Sequence, residues 1–121
     1  MTLAGNPVAF PDMSDTRTVL KEWPEWSCGM NILGLQTIGA WPDEPPTEAE
    51  ITRLISQAVA DGAIGLKIVG GHHPSTPATT AKMIEVANRL GVYVAFHCGT
   101  TATGSDLRGL VEAVELAGDN C

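Results

Sequence analysis

Charged side chains are scarce in this chain. Asp, Glu, Lys and Arg make up 17% of its 121 residues, where soluble domains usually carry about 25%. Basic residues are scarcer still, with Lys+Arg 7 against Asp+Glu 14, and they are scattered. Without clustered positive charge, nucleic acid is not expected as a partner. Long apolar runs are missing too: nothing approaches the roughly 18 consecutive residues of a membrane helix. The opening Met1 to Phe10 lacks both a basic region and a sustained apolar run, so no signal peptide is expected. Aromatics amount to 5%, and Trp23, Trp26 and Trp41 stand among prolines, which reads as loop packing. The three cysteines, Cys28, Cys98 and Cys121, lack metal-ligand spacing, and their odd number argues against a disulfide framework. A reduced, cytoplasmic setting is the expectation.

What the chain does have is apolar content, at 44%. Long Ile/Leu/Val segments can bury a core, which argues against disorder. The length fits one domain at most. A charge deficit in so small a chain implies that much of its surface is covered by something else.

The first 29 residues read as irregular, punctuated by Pro7, Pro11 and Pro24, with one short helix from Ser14 to Trp23. From Met30 the pattern is regular. Asn31–Ile38 is a short apolar run expected of a strand covered on both faces. Thr47 with Glu50 three residues on forms a capping box. Behind it Ile51, Leu54, Ile55, Ala58 and Val59 fall on one helical stripe that ends at Asp61-Gly62. Ile64–Val69 is a second strand. A helix near Ala78–Leu90 follows, then a third buried strand, Val92–Phe96. Ser105 is read as the cap of a last helix carrying Leu107, Leu110, Val111, Val114 and Ala117, with Gly118 closing it. The order β-α-β-α-β-α implies parallel strands with right-handed crossovers. The fold class is therefore α/β, with residues 30–121 forming three consecutive βα units. These make either a small open sheet or strands 3–5 of a TIM-like (β/α)8 barrel.

In such folds chemistry gathers where strands end and loops begin. Two polar residues occupy that edge: Lys67 within an apolar strand and His97 at the end of the next. A lysine amid Leu66, Ile68 and Val69 must lose hydration unless it is paired or modified. Burial favours the neutral amine, which can condense with carbon dioxide to a carbamate or with a carbonyl to a Schiff base. The plainer alternatives are a lysine snorkelling from a strand end and a core-edge histidine bonded to a backbone carbonyl. His72 and His73 follow a Gly-Gly turn and can face a pocket from the loop. Cys98 reads as a buried, inert thiol, and Asp106 and Glu112 read as helix-face charges.

Gly62-Ala-Ile-Gly-Leu-Lys-Ile68, the loop ending in Ser75-Thr-Pro77, and Val92-Tyr-Val-Ala-Phe-His97 together resemble the amidohydrolase superfamily. The likeness is to the middle of the urease catalytic subunit and to hydantoinase-type cyclic amidohydrolases, from about Met30 to Asn120. It implies that Lys67 is the carbamylated lysine bridging two divalent metals, zinc or nickel, and that His97 is the histidine ligand ending the fifth barrel strand. Carbamylation turns a cation into an anionic oxygen ligand, and imidazole completes the pair. Such a centre makes hydroxide available near neutral pH. The implied reaction is hydrolysis of a non-peptide C–N bond in a small-molecule amide, with His72 and His73 as substrate contacts. Val69 stands where ureases place a histidine, which turns the expectation from urea toward a cyclic or linear amide. The superfamily's His-x-His pair is not among the three histidines of this chain. Another chain or segment is therefore expected to complete the barrel and to supply the catalytic acid/base. Two other classes stay open: a Schiff-base aldolase or lyase using Lys67, and a non-catalytic α/β fragment or interaction module.

Overall fold

The structure, a computed structural model, describes residues 2–4, 32–38, 45–71 and 73–120. The expected helix at 14–23 and the three tryptophans lie outside these residues. Three short parallel strands form the central sheet in the order β3 (Gln36–Ile38), β4 (Gly65–Ile68), β5 (Tyr93–Phe96). Three helices connect and follow them: α1 (Glu48–Ala60), α2 (Pro77–Arg89) and α3 (Leu107–Ala117). The described part is a small α/β unit of consecutive βα elements.

Two findings differ from the reading of the first third. A strand, β1 (Thr2–Ala4), lies in the segment read as irregular and pairs in parallel with β2 (Ile32–Gly34). The expected single strand over 31–38 is divided at Leu35 into β2 and β3. The division follows from partner exchange: β2 pairs with β1, β3 pairs with β4, and the Ile64 amide donates to the Gly34 carbonyl at 2.9 Å where the ladders meet.

Local chemistry sets the helix boundaries. Thr47 is extended, its Oγ1 accepts from the Glu50 amide at 3.3 Å, and the Glu50 carboxylate accepts from the Thr47 amide at 2.7 Å. This reciprocal cap satisfies two amides that lack helical partners. Thr76 caps α2 one way, its side chain accepting from the Thr79 amide, and Pro77 enters the first turn, where its missing N–H costs nothing. The last helix is capped by Asp106, not by Ser105. The Asp106 carboxylate accepts from the Arg108 and Gly109 amides at 2.8 and 3.3 Å, while the Ser105 hydroxyl donates to the Cys98 carbonyl at 3.3 Å.

The core lies between one face of the sheet and the helices. Ile38, Leu66 and Ile68 on the strands meet Ile51, Ile55, Met83, Ile84, Val86 and Ala87 on α1 and α2, with Val94, Phe96 and Leu116 at the margin. Ile51, Ile55, Leu66 and Met83 are fully buried, and each contributes roughly 1.5–3 kcal/mol through removal of apolar surface from water. One expectation of burial fails toward the last βα unit. β5 is half-buried, with Tyr93 54% exposed, because it is the edge of the three-stranded ladder. The apolar stripe of α3 faces outward: Leu107, Leu110, Val111 and Val114 are all exposed. Among the described residues no helix is long and apolar enough to cross a membrane.

Candidate functional site

Strand register decides which side chains share a surface. Thr37, Lys67 and Ala95 are successive partners across β3, β4 and β5, so they form one row. The rows on either side, Gln36–Leu66–Val94 and Ile38–Ile68–Phe96, alternate to the opposite face, which is the face the helices cover. Lys67 therefore projects away from the helices. The ladder runs one step further, since the Val69 amide donates to the Ile38 carbonyl and the His97 amide to the Ile68 carbonyl, both at 3.0 Å. His97 follows β5 two positions after Ala95 and returns to the Lys67 face at the C-terminal edge of the sheet. The two residues singled out from sequence thus lie on one face of neighbouring strands, two rows apart.

Their surroundings differ. Lys67 is half-buried and makes no hydrogen bond or ion pair among the described residues. Beside it, Thr37 is 6% exposed, and its Oγ1 is a buried polar atom without a hydrogen-bond partner among the described residues. Ala95 flanks Lys67 on the other side with only a methyl group. No sequence signal marked Thr37, because a threonine in a short strand is ordinary.

The loops above this edge are locked together. Thr101 donates its amide to the Ser75 carbonyl at 3.0 Å, joining the loop after β5 to the loop after β4. Gly70 packs so closely on the backbone of His97 and Gly99 that a Cβ would overlap both carbonyls. Gly71 has φ +69, and a Cβ there would run into Ser105 Oγ and lie 3.7 Å from His97 Cε1. A side chain is therefore refused by conformation and by space, and the Gly-Gly turn rests against the His97 ring. His73 stands exposed on this loop; His72 lies outside the described residues.

No family model, curated protein or solved structure matches this chain.

Glu112 is a larger correction to the reading of helix-face charges. Its carboxylate accepts the Thr100 hydroxyl at 2.8 and 3.0 Å and the Thr103 hydroxyl at 2.5 Å. Thr100, 1% exposed, in turn accepts from the Ala102 amide at 3.1 Å. The signal was present in the threonines of 100–103, but only the turn brings them to a residue nine to twelve positions on. Asp106 is likewise functional within the fold, as the α3 cap, and its carboxyl is held below the usual range chiefly by the Arg108 side chain. Cys98 is half-buried, where a fully buried thiol was expected.

Among the described residues no group of three or more His, Cys, Asp or Glu converges as a metal site. Lys67 would join His97 as a ligand only after gaining an anionic oxygen. The orphaned Thr37 hydroxyl fits that change, because it offers a buried donor on the row of Lys67. A separate cleft of about 500 Å³ lies between α2, β5 and α3, lined by Ile84, Val94, Phe96, Val114 and Ala117. Its walls are chiefly apolar, and Val94 and Phe96 place it on the opposite side of the sheet from Lys67.

Proposed function

We propose that this chain forms strands three to five of a TIM-like, metal-dependent amidohydrolase barrel that hydrolyses a non-peptide C–N bond in a cyclic or linear amide. The observation that supports this reading most is the placement of Lys67 and His97 on one face of a parallel sheet, with His97 at its C-terminal edge. Barrel enzymes keep their chemistry at that edge. Lys67 as its carbamate and His97 as a neutral imidazole would hold divalent metal, zinc or nickel in a binuclear site. Bound there, metal supplies hydroxide near neutral pH by acidifying a water.

The chain's own residues have distinct parts in this scheme. Lys67 presents an anionic oxygen from the middle of β4. His97 is held at the strand end by the hydrogen bond its amide donates to the Ile68 carbonyl and by the Gly70-Gly71 turn packed against it. His73 stands on that same loop, and His72 and His73 would contact the amide substrate. The remaining ligands and the acid/base would come from another chain or segment completing the barrel, in the reduced setting of the cytoplasm.

The test is hydrolysis of cyclic and linear amides by the protein with any co-purifying chain, supplied with bicarbonate and zinc or nickel. Loss of turnover in Lys67→Ala and His97→Ala is the expected result. Turnover unchanged in Lys67→Ala overturns the reading. So does a borohydride-reduced adduct on Lys67 with carbonyl compounds, which assigns Schiff-base chemistry instead.

A further inference from the structure

We propose that Thr37 is the hydrogen-bond donor that holds the carbamate of Lys67, an inference that rests on the amidohydrolase reading above. Buried hydroxyls in folded proteins nearly always have a partner. Among the described residues Thr37 has none: its Oγ1 is buried and unpartnered, although valine would fill the same volume without that penalty. The strand register places it directly beside Lys67 on the face away from the helices. Across the row, Lys67 is flanked by Ala95, whose side chain is a single methyl group. A hydroxyl and an amine, each without a partner among the described residues, thus stand side by side, and one small anionic group between them serves both.

The step is balanced without a further reactant. The lone pair of neutral Nζ attacks the carbon of carbon dioxide, and the new N–C bond forms as one C–O π pair moves onto oxygen. The proton lost from Nζ passes to water. The product carries two acceptor oxygens, and the Thr37 hydroxyl donates to one of them. Hydrogen bonding to the charged product shifts the equilibrium toward the carbamate. Thr37 is a positioning residue in this scheme and touches no substrate.

The experiment is carbon-13 NMR of the full chain after incubation with labelled bicarbonate. Wild type and Thr37→Ser are expected to show a carbamate signal that is missing from Lys67→Arg. Thr37→Val is expected to need about tenfold more bicarbonate for the same signal, the factor of one hydrogen bond to a charged acceptor. It should also melt at or above the wild-type temperature, because an orphaned hydroxyl has been removed. Should the valine disturb the fold, Thr37→Ala against Thr37→Ser repeats the comparison with the methyl missing from both. Equal signals in Thr37→Val and wild type overturn the role of Thr37 and leave the lysine carbamate standing. A wild type without signal, or a signal that persists in Lys67→Arg, overturns the reading beneath it.

Discussion

The Thr100 hydroxyl donates to the Glu112 carboxylate at 2.8 Å, tying the loop after β5 to the second turn of α3. Thr100 is almost wholly buried, so removing its acceptor leaves a hydroxyl with nothing in place of water. Glu112→Ala is expected to lower unfolding stability by about 1–3 kcal/mol. Glu112→Gln, which keeps one carbonyl acceptor, should cost less. Urea unfolding of both variants and of the Thr100→Val double mutant checks this. The double mutant should lose less than the sum, since both changes delete the same bond.

Packing makes a sharper contrast between two helices of similar composition. Ile55 on α1 is fully buried in the core, whereas Val111 on α3 is 58% exposed. Ile55→Ala is expected to cost about 2–5 kcal/mol, from lost transfer energy and the cavity left behind. Val111→Ala should stay within about 0.5 kcal/mol. Chemical denaturation of the two variants measures both, and equal losses would contradict the outward orientation of α3.

Acid should weaken the fold through its caps. The Asp106 carboxyl is held below its usual range first by its side-chain bond to Arg108, and the Glu50 carboxyl by its bonds to Thr47. Each therefore binds its proton less readily folded than unfolded. The stability each contributes is present above the ordinary carboxyl range of about 4 and is lost as pH falls through the lowered folded value. Melting temperature is expected to fall with pH below about 4. Asp106→Asn should make that fall shallower, and thermal scans across the range read the slope.

Much of this architecture is legible in the residues themselves. The Thr47/Glu50 box, the Ile51–Ala58 stripe and the apolar runs around Lys67 and His97 each carry their own local signal, and the elements stand within a residue or two of where that signal puts them. The alternation of strands and helices also carried the parallel topology. Three features depended on contacts distant in sequence. The division at Leu35 arises because β2 and β3 take different partners, one of them at residues 2–4. Asp106 wins the α3 cap because Ser105 is drawn to the Cys98 carbonyl instead. The partnerless hydroxyl of Thr37 is visible only once its neighbours are in place. Lys67 and His97 were readable as a pair because the two-residue pleat fixes their face as soon as their strands are aligned.

Divalent-metal binding by the purified protein, titrated with zinc or nickel with and without bicarbonate, tests the central claim most directly. The account predicts binding that bicarbonate strengthens and that Lys67→Ala and His97→Ala each weaken. Binding that is indifferent to bicarbonate and unchanged in both variants would contradict it.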